Sequence, residues 1–280
     1  MKFFTAVTFQ NDEHAELLQA WLYDFEPLGL LEGDEEWTAY FPADTWLEQI
    51  KPELDIWLAE RFPETEYAFE AIEDQNWNEE YERSITPVDV NERITIAPSW
   101  SGAAFPPERM VVRIDPKMSF GTGLHATTRL MIRLLERHIH SGDTVLDIGT
   151  GTGVLLIIAE KLGAKQCLGV DIDEWSTSNA YENVALNGGS DAIEVRQGTI
   201  EQAEGRYDLI LSNITKNDNI ALLQHIKERL SPGGRIVLSG YLTGDASEIR
   251  YECERLGFAP LEYKQEDEWA AEAFHLAEEQ

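Results

Sequence analysis

The sequence is poor in three things. It has two cysteines in 280 residues, Cys167 and Cys253, too few for a disulfide framework. They fall in a strand-patterned and a helix-patterned stretch, so both are read as packed rather than reactive. No apolar run approaches the ~20 residues that a membrane-spanning helix needs. The opening Met1-Lys2-Phe3-Phe4-Thr5 meets acids within a few residues and makes a poor secretory signal. A reducing, cytoplasmic setting without membrane contact is expected. Bases are scarce as well: 22 Lys and Arg stand against 52 Asp and Glu, for a net charge of −30. Gripping phosphates needs a basic surface, so nucleic acid is not expected as a direct partner. A basic partner would be steered in by such a field, although acids also serve solubility and by themselves name no partner.

What is present is ordinary globular material, 43% hydrophobic and 26% charged, with length for one large domain and one small one. The chain is organised around Val145-Leu146-Asp147-Ile148-Gly149-Thr150-Gly151-Thr152-Gly153. An apolar run ends in an acid and then in alternate glycines, and Val154 to Ala164 follows with a helical pattern. Strand, glycine turn and helix suit a polar cofactor. Glycine lets backbone turn sharply and approach a ligand, and the helix start adds unpaired N–H groups and a positive dipole end. The dinucleotide fingerprint is G-x-G-x-x-G. Here the third glycine comes one residue early, which disfavours a nicotinamide cofactor. The next apolar run ends in Asp171, where an acid can accept hydrogen bonds from ribose hydroxyls. A glycine turn with no ligand is the bland alternative.

Residues 1–75 read as a small α+β unit. Strands are expected over Phe4–Phe9, Trp37–Phe41 and Tyr67–Ile72. One helix is expected after Asp12, with Leu17, Leu18, Trp21, Leu22 and Phe25 on a face, broken by Gly29 and Gly33. A second opens at Thr45, with Pro52 as a source of kinking. Two helices among strands suggest a ferredoxin-like sandwich, with no catalytic constellation. Residues 76–108 read as a connector, with a short helix over Asn76–Glu82 and several prolines. Ile94–Ile96 and Met110–Ile114 are expected to form a hairpin. The loop Asp115 to Thr128 carries glycines, hydroxyl residues and His125, and Thr127 or Thr128 is expected to cap the helix that follows. No neighbouring acid or cysteine completes a metal site or a triad with His125. From residue 109 to 280, β and α patterns alternate, which argues for a doubly wound sheet. Ligands of such sheets bind outside the carboxyl ends of the strands, which groups Asn213, at the end of Tyr207–Ile214, with the glycine turn and Asp171. Phe258–Tyr263 and Trp269–Leu276 are expected to close the fold as an antiparallel pair.

D-x-G-x-G-x-G followed by an acid-tipped second strand resembles class I S-adenosylmethionine-dependent methyltransferases. Further residues narrow this. Phe120-Gly121-Thr122-Gly123-x-His125-x-Thr127-Thr128 is the discriminating loop. Asn76-Trp77, Ala97-Pro98-Ser99-Trp100, Glu182-Asn183, Asn187-Gly188, Ser212-Asn213-Ile214, Pro232-Gly233-Gly234 and Leu238-Ser239-Gly240 agree with it. Together these resemble the methyltransferases of ribosomal large-subunit protein eleven (L-eleven), the PrmA family. The resemblance covers about two-thirds of the chain. It implies a Rossmann-like catalytic domain with a small N-terminal domain that docks the substrate. It also implies S-adenosylmethionine as donor, and acceptors that are lysine ε-amines and the terminal α-amine of that ribosomal protein. Cofactor positions implied by the family fall on Thr128, Gly149, Asp171 and Asn213, with Asn213 also the candidate to orient the acceptor amine. No metal is implied and no general base is assigned, His125 being the nearest candidate. A methyltransferase of protein glutamine is disfavoured, since Asn-Pro-Pro-Tyr does not follow Ser212. A methyltransferase of another protein or small amine, or an inactive ribosome-assembly scaffold, stays open. The chain departs from the family at Thr215-Lys216-Asn217-Asp218 and at Ala270-Ala271-Glu272-Ala273, where a weak or re-paired closing strand is expected.

Overall fold

The computed structural model describes residues 3–10, 15–23, 25, 27–32, 36–63, 65–73, 86–115, 121, 123 and 125–277. The expected cap at Asp12, the helix over Asn76–Glu82 and most of the 116–124 loop lie outside these residues. The chain divides into two compact units, Met1–Tyr81 and Glu82–Gln280.

In the first unit the order is β1 (Phe3–Gln10), α1 (Ala15–Tyr23), β2 (Gly29–Glu32), β3 (Glu36–Pro42), α2 (Ala43–Thr45), a π-type turn (Trp46–Ile50), α3 (Lys51–Arg61) and β4 (Tyr67–Glu73). The sheet order is β2-β3-β1-β4, with every neighbouring pair antiparallel. This is the sandwich expected, completed by strand β2 where a break after the first helix is expected from Gly29. Gly29 opens β2 rather than ending a helix, and Gly33 lies outside the described residues. Period-two alternation buries Trp37, Ala39 and Phe41 of β3. Trp37 stacks on Phe9 of β1 directly across the sheet, ring centroids 4.5 Å apart. Trp46, Ile50, Leu54 and Leu58 cover that face from the second helical run. Pro52 lies in the first turn of α3, just after the π-type turn. A proline has no N–H for the carbonyl four residues back, so the wider turn falls where regular helix bonding is already interrupted.

The second unit opens with β5 (Val88–Asp89), β6 (Ile94–Ala97) and β7 (Met110–Arg113). Here the structure corrects the expected hairpin: β6 and β7 run parallel, and the antiparallel partner of β6 is β5. A parallel pair needs a crossover of about a dozen residues. The stretch 98–109, with Pro98, Pro106 and Pro107, supplies it without a helix.

The main sheet follows. Its elements are α4 (Ala126–His138), β8 (Thr144–Ile148), α5 (Val154–Lys161), β9 (Gln166–Asp171), α6 (Glu174–Leu186), β10 (Ile193–Gln197), β11 (Tyr207–Asn213), α7 (Lys216–Arg229), β12 (Leu230–Leu242), α8 (Ala246–Arg255), β13 (Phe258–Glu266) and β14 (Trp269–Leu276). The order is β10-β9-β8-β11-β12-β14-β13. The first five strands are parallel, and β14 is antiparallel to both of its neighbours. Side chains alternate between two cores. Val145, Leu209 and Leu211 face α4, α5 and α6, whereas Leu146, Ile148 and Ile210 face α7 and α8. Both faces are covered, so the strands are apolar throughout. The strand order reverses between β8 and β11, and open α/β sheets bind their ligands outside the carboxyl ends of the strands at such a point.

The closing pair is not weak. β14 is bonded on both edges, and Ala270, Ala271 and Ala273 are fully buried. Cys167 and Cys253 are free and buried, and burial pushes both thiols up to about 12.

Candidate functional site

The crevice is built from the turn after β8. Gly149, Gly151 and Gly153 all adopt positive φ, at 70°, 53° and 77°, a region costly for other residues. A Cβ on Gly149 would lie 2.6 Å from Cγ2 of Ile214. The turn is fastened to the next strand. Gly149 and Thr150 donate to the Val170 carbonyl at 2.9 and 3.1 Å. Gly151 donates to Oδ2 of Asp171 at 2.9 Å, and Asp173 donates to Oδ1 of the same carboxylate at 3.1 Å. Asp171 is therefore held in place at the tip of β9, and each oxygen retains a second lone pair for a hydroxyl donor.

Several residues near the ends of these strands and at the start of α4 carry polar atoms without partners. Oγ1 of Thr128, Oδ1 of Asp147, Oγ of Ser212 and Oδ1 of Asn213 are buried without hydrogen bonds, four of the twelve such atoms among the described residues. A buried polar atom left unpaired costs free energy, and natural proteins pair nearly all of them. Unpaired oxygens in residues beside a glycine turn suit a polar ligand with hydroxyl, amine and carboxylate groups. Asp147 reports the dryness of the floor. Burial pushes its carboxyl up to about 7 with some help from Asp171, against the pull of the Thr150 hydroxyl, which donates to Oδ2 at 2.8 Å.

Of the residues expected at the site, Gly149, Asp171 and Asn213 end adjacent strands of one sheet, and Thr128 lies in the first turn of α4, 1% exposed. The cap of α4 is neither Thr127 nor Thr128. It is His125, whose Nδ1 accepts the Thr127 N–H at 3.3 Å and lies 2.8 Å from the Thr127 hydroxyl. Its ring meets Trp269 edge-on, centroids 4.6 Å apart. Burial first and Arg129 second lower its pKa, with Glu268 opposing.

Three residues at the site carried little signal in the sequence. Asp147 was visible as part of the turn motif but had no role. Trp269 stands at the amino end of an antiparallel strand, and hence at the same sheet end as Asn213. Asn219 of α7 is buried, and its amide donates to the carbonyls of Ile214 at 3.0 Å and Ser239 at 2.8 Å. It ties the exit of β11 to β12. The available clue was a polar residue on the stripe Asn219, Leu223, Ile226, otherwise apolar and buried. The departure at 215–218 also resolves. Thr215 caps α7, accepting the Asp218 N–H at 3.3 Å and donating its hydroxyl to Asp218 at 2.6 Å. These residues are the cap and first turn of α7.

The family model for ribosomal protein L11 methyltransferase (PrmA) matches residues 5–276. The chain belongs to this family. Relatives agree over most of their lengths. A ribosomal protein L11 methyltransferase from Thermus thermophilus is 38% identical over 259 residues, 90% of this chain and 92% of the relative. One from Chlorobaculum tepidum is 38% identical over 245 residues, 85% and 84% of the two chains. Among solved structures, a ribosomal protein L11 methylase from Lactobacillus delbrueckii subsp. bulgaricus superposes with a TM-score of 0.64 at 29% identity, covering 68% of this chain and 98% of that one. The doubly wound sheet of the second unit is the Rossmann-like fold of class I methyltransferases. Family membership makes this chain a methyltransferase.

Proposed function

We propose that this chain transfers methyl groups from S-adenosylmethionine to ribosomal protein L11, on lysine ε-amines and on the terminal α-amine. The observation that carries the reading is the glycine turn fastened to Asp171, with unpaired buried oxygens in Thr128, Ser212 and Asn213, in a chain that belongs to the PrmA family. The residues fit the donor. Asp171 would accept from its ribose hydroxyls, Gly149 would give its backbone close approach, and Thr128 would donate a hydroxyl hydrogen bond to its carboxylate. When bound, the donor supplies an electrophilic methyl group on a sulfonium.

The chain's own contribution is positioning and drying. An amine can attack only as the free base, yet a lysine in water titrates near ~10.4. Burial that pushes the neighbouring Asp147 carboxyl up to about 7 would disfavour an ammonium in the same way. The unpaired Oδ1 of Asn213 would accept an N–H of the amine and aim its lone pair along the line of displacement. Holding reactants in line supplies much of the acceleration where the electrophile is intrinsically reactive. His125 spends Nδ1 on capping α4, so no general base is assigned, and the proton leaves with water after transfer.

In this reading Met1–Tyr81 docks the substrate protein, the setting is cytoplasmic, and neither nucleic acid nor membrane is contacted directly. Among the described residues no helix is long and apolar enough to cross a membrane. The test is incubation with radiolabelled S-adenosylmethionine and separated large-subunit proteins. One labelled band at L11 is expected. Label on another protein, or no label, refutes the assignment.

A further inference from the structure

Helix α6 carries asparagines at 179 and 183, and a third, Asn187, caps its carboxyl end. Spacing of four places them on one face. All three turn to the chain as it leaves β7. Asn187 accepts the Arg113 N–H at 3.0 Å and donates to the Arg113 carbonyl at 2.7 Å. Asn183 accepts the Asp115 N–H at 2.9 Å, and Asn179 donates to the Asp115 carbonyl at 2.8 Å. Ile114, between them, bonds the other way, to the Ala97 carbonyl of β6 at 3.0 Å. The amides thus take the place of a neighbouring strand along one edge of residues 113–115.

Asn183 does something the other two do not. Fully buried, it also donates from Nδ2 to the Thr152 carbonyl at 3.0 Å, inside the glycine turn. The hydroxyl of Thr152 in turn donates to the Gly121 carbonyl at 3.0 Å. One side-chain amide therefore joins the turn after β8 to the start of the 116–124 loop, and Thr152 joins the same turn to that loop further along. We propose that Asn183 is a positioning residue of the donor site, fixing the glycine turn and the entry of the loop against each other before any ligand arrives. This rests on the reading of the crevice as the S-adenosylmethionine site.

A residue that merely packs α6 would lower stability when removed and leave the crevice alone. The test compares Asn183→Ala with Asn187→Ala, which loosens the same strand edge without touching Thr152. In the full-length free protein, hydrogen exchange at residues 150–154 should quicken in Asn183→Ala and stay at the parent rate in Asn187→Ala. By calorimetry, Asn183→Ala should bind S-adenosylmethionine about tenfold more weakly, equivalent to about 1.4 kcal/mol. Its turnover at saturating donor should stay within about threefold of the parent, near 0.7 kcal/mol. Asn187→Ala should keep its donor affinity within about twofold, near 0.4 kcal/mol. Unchanged donor affinity in folded Asn183→Ala, or equal weakening in both variants, overturns the inference. If Asn183→Ala does not fold, Asn183→Ser carries the same comparison against Asn187→Ser. A parent protein that binds no donor would instead remove the underlying reading, while the exchange experiment would still decide whether Asn183 orders the turn.

Discussion

Asp147 is a carboxyl with little means of holding charge. One oxygen receives the Thr150 hydroxyl, the other receives nothing, and its pKa is pushed up to about 7. The sign of the linkage follows. An acid whose folded pKa exceeds its unfolded value of 3.8 binds its proton more tightly in the fold. Its contribution to stability is complete below the unfolded value and is lost as pH rises through about 7. Asp147→Asn removes that titration. In thermal melts of the donor-free protein, the parent should lose ground against Asp147→Asn between pH 4 and pH 7, the window set by those two values. An offset independent of pH would show that Asp147 ionises freely. At Asp171 both oxygens accept backbone N–H groups. Asparagine there must turn its NH2 toward one of those donors, so Asp171→Asn should weaken donor binding nearly as much as Asp171→Ala. The expected loss is about tenfold or more, on the scale of a lost hydrogen bond to a charged group. Full affinity in either variant would release Asp171 from the ribose. The glycines and Asp171 were legible because their chemistry is written in residue type and spacing. The cap at His125 was not, because a threonine in the same stretch makes the commoner cap and geometry alone chose between them.

Among the elements, two departures from the family pattern proved to be local solutions. Thr215 to Asp218 is a capped helix start. Glu272 lies on a buried strand face and is answered by Arg250 of α8, whose Nη2 and Nε lie 2.7 and 2.9 Å from Oε1. Burial raises the pKa of Glu272, and Arg250 opposes it. Breaking one partner of such a pair strands a charge, whereas replacing both can be neutral. Arg250→Met should therefore cost about 3 kcal/mol in denaturant unfolding, the low end for a buried pair because Arg250 is 42% exposed. Arg250→Met with Glu272→Leu should recover most of it. A double variant no better than the single would mean the salt bridge is incidental. Gly240 belongs to the same region. A Cβ there would lie 1.9 Å from the Ile214 carbonyl oxygen, at φ +92°. Gly240→Ala should force β11 and β12 apart beside Asn213 and lower turnover as well as stability. The positive φ alone is worth roughly 1–3 kcal/mol. The elements themselves were largely visible from hydrophobic periodicity. The parallel pairing of β6 with β7 was not, since periodicity says which face is buried and not which strand lies alongside. Strand β2 was hidden by its opening Gly29, since glycine usually punctuates.

Across the molecule the charge is uneven. Residues 1–81 hold 21 acids and three bases of the chain's 52 and 22. A basic substrate approaching that unit is attracted over a distance set by salt, about 10 Å at 0.1 M ionic strength. Raising sodium chloride from about 0.05 to 0.5 M should therefore raise KM for L11 severalfold and leave kcat nearly unchanged, because the field acts on encounter rather than on transfer. A KM indifferent to salt would confine the acids to solubility. The sign of the charge was plain in the composition, and the unpaired oxygens were not, since an unmet hydrogen bond is a property of coordinates.

Strand β14 is the last described strand to be synthesised, yet it lies between β12 and β13, bonded to both. While translation is under way, those two must wait with open flanks for a companion still inside the ribosome. Backbone edges left bare in that interval invite pairing with another chain. A nonsense codon anywhere before Trp269 would make that wait permanent, yielding insoluble protein rather than a slightly shorter enzyme.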